Sequence, residues 1–219
     1  MRARGNFYRG FFPNAPTIMP VGPDEVYYTS TVFSSNTTFQ PATAGAVAGD
    51  IIFVAGVGNS EVVLPGSTYS DTTSIGGGLS RQTNAYKVLS PGDITTNSLS
   101  VTCPSLGNFT ILLISGVSTF TRKYSAFRTE ATAVVPGFTK SASSKLILAI
   151  VTDRTDNGVL LPSPTGFSLL RNGFTQYFSV AHAVRASDTY TSDSNFTVFT
   201  QDAGGGTPYS AAIAIYEAT

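Results

Sequence analysis

The sequence predicts an all-β protein with two tandem antiparallel β-sandwich units, jelly-roll or immunoglobulin-like, behind an extended N-terminal arm. Three observations lead to this prediction. Short apolar or alternating runs bounded by turn residues recur along the 219-residue chain. Ser, Thr, Asn and Gly take the place of charged residues, which make up only 12% of the sequence. The hydrophobic blocks of the first half also return in order in the second half.

The predicted strands of the first half are runs rich in Val, Ile, Tyr, Phe and Thr, and Gly, Pro, Asn or Asp residues close most of them. Runs of about four to eight residues between turn signals are typical of sandwiches and barrels. No segment has the apolar period of an amphipathic helix. The predicted strands cover residues 26–33, 51–57, 61–64, 83–89, 98–103 and 109–114.

Internal repetition sets the domain boundaries. A shift of about 96 residues superimposes the hydrophobic blocks and the turns of the two halves. We therefore predict an arm over residues 1–25, a first unit over 26–118 and a second over 119–219, with one double sandwich as the alternative arrangement. The matched blocks are 51–55 with 146–150, 62–65 with 159–162, 84–88 with 180–184, 99–101 with 196–198, and 109–114 with 209–215.

Composition excludes several classes of function. Thirteen basic and thirteen acidic residues give a net charge of zero, so the chain lacks the overall basic character of a nucleic-acid binder. No apolar run approaches the roughly 18 residues of a membrane helix. Cys103 is the single cysteine, so no disulfide forms within the chain. With no signal-peptide pattern at the N-terminus, we expect synthesis and folding in a cytoplasm.

The predicted arm is basic and aromatic. Four prolines between positions 13 and 23 exclude helix, because each fixes φ and removes a donor. The first twelve residues carry arginines and aromatics but no acid, which indicates docking onto a partner; a solvated tail is the alternative. The candidate partner-binding residues are Arg2, Arg4, Phe7, Tyr8, Arg9, Phe11 and Phe12.

The sequence holds few of the residues that usually serve as nucleophiles, bases or metal ligands. His182 is the single histidine, and the repeat alignment places it at the position of Tyr86, as expected of a sheet residue. Cys103 has the character of a small buried hydrophobe. The carboxylates and amides around Asp153 and Asp156 are typical of turns rather than of a calcium ladder. We therefore predict no enzyme, no catalytic residues, no metal and no cofactor.

Both halves carry a recurring order of motifs. Gly-Asp and an apolar strand occupy residues 49–54. A Pro and Gly loop with Phe-Ser-Leu-Leu occupies 162–170, an aromatic strand 177–185, and a small-residue strand 210–217. This order resembles the β-sandwich modules of tailed-bacteriophage virion proteins, both head-decoration and tail-associated ones. Gly166-Phe167 stands where those modules usually have Gly-Trp, and the first half diverges further.

The resemblance implies a non-catalytic protein of the virion, without carrying over any functional residue. The expected function is a decoration or cement protein anchored by residues 1–25. Its expected partners are major capsid or tail subunits, in a homo-oligomer or on a lattice, with no nucleic acid and no membrane. The alternative is a tail or fibre module that binds host-surface glycan through Tyr69, Phe167 and Phe174.

Overall fold

A computed structural model gives the architecture of the chain. The structure describes residues 19–21, 26–33, 35–75, 80–103, 107–128, 132–135, 141, 143–153, 168–173, 178–185, 196–199 and 211–219. Within these residues lie fifteen strands and one short helix, and all strand pairs are antiparallel. The all-β prediction is confirmed. None of the described helical segments has the length and apolar character needed to cross a membrane.

The elements follow one another in this order: β1 (Met19–Val21), β2 (Val26–Phe33), β3 (Thr37–Phe39), β4 (Ile51–Gly58), β5 (Tyr69–Ile75), β6 (Ser80–Val88), α1 (Pro91–Thr96), β7 (Leu99–Val101), β8 (Asn108–Ser115), β9 (Phe120–Arg128), β10 (Thr132–Val135), β11 (Leu146–Asp153), β12 (Ser168–Gly173), β13 (Phe178–Arg185), β14 (Phe196–Phe199) and β15 (Ala211–Ala218). Residues 19–21 of the predicted arm are extended, and they pair with β2 at the edge of a sheet.

The strands form two large sheets and two small ones. The first large sheet has the order β1-β2-β8-β4-β6-β5 and the second has β12-β13-β11-β15-β9. The small sheets pair β3 with β7 and β10 with β14. With β1 set aside, the order β2-β8-β4-β6-β5 in the first half is the order β9-β15-β11-β13-β12 in the second. The repeated hydrophobic blocks therefore correspond to a repeated strand order.

Strand register adjusts the repeat alignment in two strands. In β15 the counterpart of Ile114 is Ala218 rather than Ile215. This follows because Ile114 pairs with Ile51, and Ala218 pairs with the equivalent Leu146.

In β13 the alignment shifts by one residue. Tyr86 pairs with Phe53, whereas Leu148, the counterpart of Phe53, pairs with Ala183. Ala183 is therefore the counterpart of Tyr86, and the prediction that His182 takes that position is wrong. The chain from Leu148 to Ala183 is longer than the chain from Phe53 to Tyr86, so one offset does not fit both strands. A one-residue shift matters because it moves every side chain of a strand to the other face of the sheet.

The inner faces of the two large sheets share one hydrophobic core. Phe53 of β4 lies at its centre, with its ring centroid 5.2 Å from those of Phe120 and Tyr216. Tyr86 packs 5.6 Å from Phe120. Because both halves contribute, burial of this core joins them. The cluster contains Ile51, Phe53, Ala55, Tyr86, Leu112, Ile114, Val117, Phe120, Leu146, Leu148, Ile150, Ala214, Tyr216 and Ala218.

A second core covers the outer face of the first large sheet. Ile52 and Val54, which alternate with Phe53 along β4, pack there against Leu99 and Val101 of β7. Strand β4 is thus buried on both faces, which explains its continuous apolar run. The predicted strand at 61–64 is wrong, because that segment makes a single bridge, Val63 to Thr102, while Val62 and Leu64 point into this core.

Helix α1 was not predicted, because its Pro-Gly-Asp start is also a turn signal. Ser90 and Asp93 form a reciprocal capping box, and Pro91 occupies the first turn, where its missing N–H is not needed. Lys87 Nζ donates to Asp93 Oδ1 at 2.6 Å. Burial alone raises the pKa of Asp93, but the hydrogen bonds from Lys87 and Ser90 outweigh it and lower the pKa to about 2.

Replacing Phe53 with Ala tests the shared core. We expect a loss of about 3–5 kcal/mol in the free energy of unfolding, because an aromatic side chain leaves a cavity at the centre of the cluster. Urea unfolding followed by circular dichroism should show one cooperative transition, displaced as a whole. Val63→Ala, at a valine that is 50% exposed, is the control and should change little. Two separate transitions, only one of them moved, would contradict a core common to both halves.

Asp93→Asn tests the capping interaction through pH. The folded pKa lies below the unfolded value of about 3.9, so the carboxylate stabilises the fold above about pH 4, and this contribution is lost as pH falls towards 2. The variant should be about 1–2 kcal/mol less stable at neutral pH and should converge with the wild type near pH 2. Glu61→Gln, at an exposed ion pair, should cost only tenths of a kcal/mol. A pH-independent difference for Asp93→Asn would count against this assignment.

Candidate functional site

The predicted partner-binding residues are not among those that the structure describes. Arg2, Arg4, Phe7, Tyr8, Arg9, Phe11 and Phe12 all fall outside the described ranges, as do Phe167 and Phe174. The docking arm and the two phenylalanine contacts therefore remain predictions.

Tyr69, the third predicted glycan contact, lies at the start of β5 and is half-buried. Its ring stacks on Tyr86 at 5.8 Å and meets Tyr216 edge-on at 6.3 Å. Most of this ring therefore contributes to the shared core, and only part of it faces solvent.

Cys103 packs against the outer core, as expected of a small hydrophobe, but it is only half-buried. It also lies outside the strand that was predicted to contain it, because β7 ends at Val101. Its backbone N–H donates to Asn36 Oδ1 at 2.8 Å, and its Sγ lies 3.6 Å from the Gly107 carbonyl. Burial raises the pKa of the thiol, which disfavours the thiolate that a nucleophile would need.

The candidate site is a shallow polar groove where the edges of the two large sheets meet. Strand β5 ends the first sheet and β9 ends the second. Thr73 Oγ1 and Ser125 Oγ share a hydrogen bond of 2.9 Å across this junction. Arg122 of β9 also forms an ion pair with Asp71 of β5. The groove, called the edge groove below, is lined by Asp71, Thr72, Thr73, Arg122, Lys123, Tyr124 and Ser125.

The charges of the edge groove are paired. Arg122 bonds to Asp71, while Lys123 Nζ lies 2.7 Å from Glu217 Oε2. Glu217 is buried and also accepts the Ser141 N–H at 2.7 Å. Burial alone raises the pKa of Glu217, but the hydrogen bonds from Lys123 and Ser141 outweigh it and hold the pKa below its ordinary value. The groove thus presents fixed dipoles with no excess of either sign.

The phenols beside the groove stay neutral. Burial raises the pKa of Tyr69, and the nearby Asp71 carboxylate raises it further. Burial is also the main cause that raises the pKa of Tyr216, with Asp71 adding to it. Neutral phenols are hydrogen-bond donors and acceptors rather than bases. Tyr216 is fully buried, so of these two phenols only the partly exposed Tyr69 can contact polar groups of a ligand, such as backbone amides or hydroxyls.

A buried polar network lies behind the groove, between the sheets. Gln82 Nε2 donates to the Ala212 carbonyl of the opposite sheet at 3.2 Å, and Asn84 Nδ2 donates to Gln82 Oε1 at 3.2 Å. Asn84 Oδ1 and Tyr216 Oη are buried and make no bond of regular geometry within the described residues, but the Asn84 side chain lies within hydrogen-bonding reach of the Tyr216 hydroxyl. Burial of polar atoms costs stability unless their hydrogen bonds are made well, so this part of the core stabilises the fold less than an apolar cluster of the same size.

The sequence did not reveal this site, because its two strands come from opposite halves. Asp71 and Arg122 are far apart along the chain, and β5 is too rich in Ser, Thr and Asp to resemble a buried strand. One feature of the sequence could have indicated part of the site. Tyr69, Asp71 and Thr73 are spaced two residues apart, which places their side chains on one face of a strand. Among the residues described, no three His, Cys, Asp or Glu side chains cluster as metal ligands.

Comparison with known proteins returns no relative: no protein-family model, no curated protein and no solved structure matches this chain. The resemblance to phage modules therefore rests on the order of the sequence motifs alone.

Matched Tyr→Phe substitutions test the polar end of the core. Tyr86→Phe removes a hydroxyl that donates to the Phe120 carbonyl at 3.4 Å, and should cost about 0.5–1.5 kcal/mol. Tyr216→Phe removes a buried hydroxyl whose polar neighbour, Asn84, lies outside regular hydrogen-bond geometry, and should cost less than Tyr86→Phe, under about 0.5 kcal/mol. Urea midpoints of the two variants give the comparison. An equal loss in both would show that the Tyr216 hydroxyl is satisfied in solution.

Proposed function

We propose that this chain is a non-enzymatic structural protein of a tailed-phage particle, of the decoration or cement kind, docked through residues 1–25. We also propose that its body consists of two tandem β-sandwich units. The observation that carries the proposal is the core shared by the large sheets, in which Phe53, Phe120 and Tyr216 interlock. A body stiffened in this way suits a component that must hold its shape on a particle.

The surface chemistry supports the same function. Among the described residues, the ion pairs at the edge groove and at Arg81–Glu61 join opposite charges on the body itself. A body without excess charge has no strong attraction to nucleic acid. The first twelve residues of the arm differ, since they hold three arginines and four aromatics but no acid, while Asp24 and Glu25 lie at the end that joins the body. An extended arm of this composition would gain contact area and charge complementarity on an acidic neighbour, such as a capsid or tail subunit.

The alternative function is recognition of a host-surface glycan, and the edge groove is the observation that favours it. A carboxylate, a guanidinium and several hydroxyls converge there within reach of the partly exposed Tyr69 ring. Sugar hydroxyls hydrogen-bond to such groups. Binding in a glycan array that Arg122→Ala abolishes would favour this function, and an array without binding would count against it.

Imaging of particles tests the cement proposal first. Antibodies against the folded chain should label particles purified from the virus–host system that encodes it, at regular positions on a closed shell. Label confined to a tail tip, or absent from particles, would contradict a cement function.

Variants of the arm then test the docking residues. Removal of residues 1–25 should abolish association with particles. Because this deletion also removes β1, which pairs with β2 at the edge of the sheet, the circular dichroism of the body should lose the signal of that strand alone. Replacing Arg2, Arg4 and Arg9 by Gln should weaken association at low salt and remove its salt dependence, because the arginines provide the electrostatic part of the contact. Arg81→Gln, on the body, is the control for charge loss and should associate normally. Undiminished association without the arm would exclude it as the anchor.

A further inference from the structure

The two halves meet through matching surfaces. Phe53 and Leu148 hold equivalent positions, on the central strands β4 and β11, and both lie in the shared core. Their neighbours match as well, because Phe53 pairs with Leu112 and Leu148 pairs with Tyr216. The same face of the same strands is therefore used by both copies, as in the isologous interface of a twofold dimer.

Contacts at the two margins of this interface are also reciprocal. Strand β5 lies beside β9, and β12 lies beside β2. The repeat makes β5 the counterpart of β12 and β9 the counterpart of β2. Exchange of the two copies therefore converts one contact into the other, which is what an approximate twofold axis between β4 and β11 requires.

The side chains at these equivalent positions have diverged into a complementary pair. The first copy has Phe53 opposite Leu112 in its own sheet, and the second has Leu148 opposite Tyr216. Each copy thus supplies one aromatic and one leucine, with the two exchanged between strands. The aromatics meet across the interface at 5.2 Å. Because the two faces are no longer identical, each half packs better against the other half than it would against a second copy of itself.

The covalent connection is exposed at the point between the halves. Val117 and Phe120 on either side of it are buried in the shared core, whereas Gly116, Ser118 and Thr119 are exposed. The segment is held at both ends by the body, since Lys145 Nζ donates to the Gly116 carbonyl at 2.8 Å and the Thr219 N–H donates to the Thr119 carbonyl at 3.2 Å. A break between Ser118 and Thr119 would leave these contacts and the whole core unchanged.

We propose that the inner face of each large sheet is an autonomous association surface whose partner is the other copy of the same unit. The chain is a fused pair, and the two units stay together without the peptide link through residues 116–119. This inference does not depend on the proposed particle function.

Cleavage of the folded full-length chain tests this proposal. A specific protease site is inserted between Ser118 and Thr119, the protein is purified intact and then cut, and its mass is followed by size exclusion with light scattering. We expect the cut halves to co-elute near the 22.9 kDa of the intact chain at micromolar concentration, and to separate only in denaturant. Separation into two folded halves in native buffer would overturn the proposal.

Two substitutions in the cut protein locate the surface. Phe53→Ala, on the inner face of β4, should raise the dissociation constant of the halves at least about tenfold, because buried aromatics dominate such interfaces. Val54→Ala, on the outer face of the same strand, should change it less than about threefold. If Phe53→Ala does not fold, Phe53→Leu replaces it, since Leu occupies the equivalent position 148. Equal effects at the two positions would overturn the assignment of the inner face.

Discussion

The contact between the inner faces of the two large sheets determines the rest of the structure. Phe53, Phe120 and Tyr216 come from three strands in two sheets, and their rings pack at the edge-to-face and tilted angles that aromatic side chains prefer. This packing fixes the distance between the sheets. It also aligns the edges of β5 and β9, so that Arg122 reaches Asp71 and Thr73 reaches Ser125. The edge groove is therefore a consequence of the core, although no groove residue belongs to it.

The shared core changes character along its length. The described members of the cluster near Ile51 and Leu146 are apolar, whereas Gln82, Asn84 and Thr110 are buried at the other end. Burial of amides is costly unless their hydrogen bonds are made, and the bond from Gln82 to the Ala212 carbonyl is made only at one relative placement of the sheets. The apolar end supplies most of the stabilisation, while the polar end restricts how one sheet can slide over the other.

The sequence predicted what depends on local pattern. Strand β2 has the predicted bounds 26–33, and β4 extends the predicted 51–57 by one residue. Strand β5 was missed because an edge strand with one face in solvent can be mostly Ser, Thr and Asp. The edge groove was missed for a different reason. The pairing of Asp71 with Arg122 depends on how two sheets stack, and nothing in the strand pattern of either half encodes that arrangement.

Strand order also bears on how the chain emerges from the ribosome. In each large sheet the strand that comes last in the chain is inserted in the middle: β8 lies between β2 and β4, and β15 between β9 and β11. Until that strand is synthesised, its two neighbours have no partner between them and each presents open backbone donors and acceptors. The first half can close its sheet while the second is still being translated, but β9 and β11 must wait for β15. Such long-range pairing slows folding and leaves unpaired edges exposed for longer, so nascent chains that stop before β15 should be prone to aggregation.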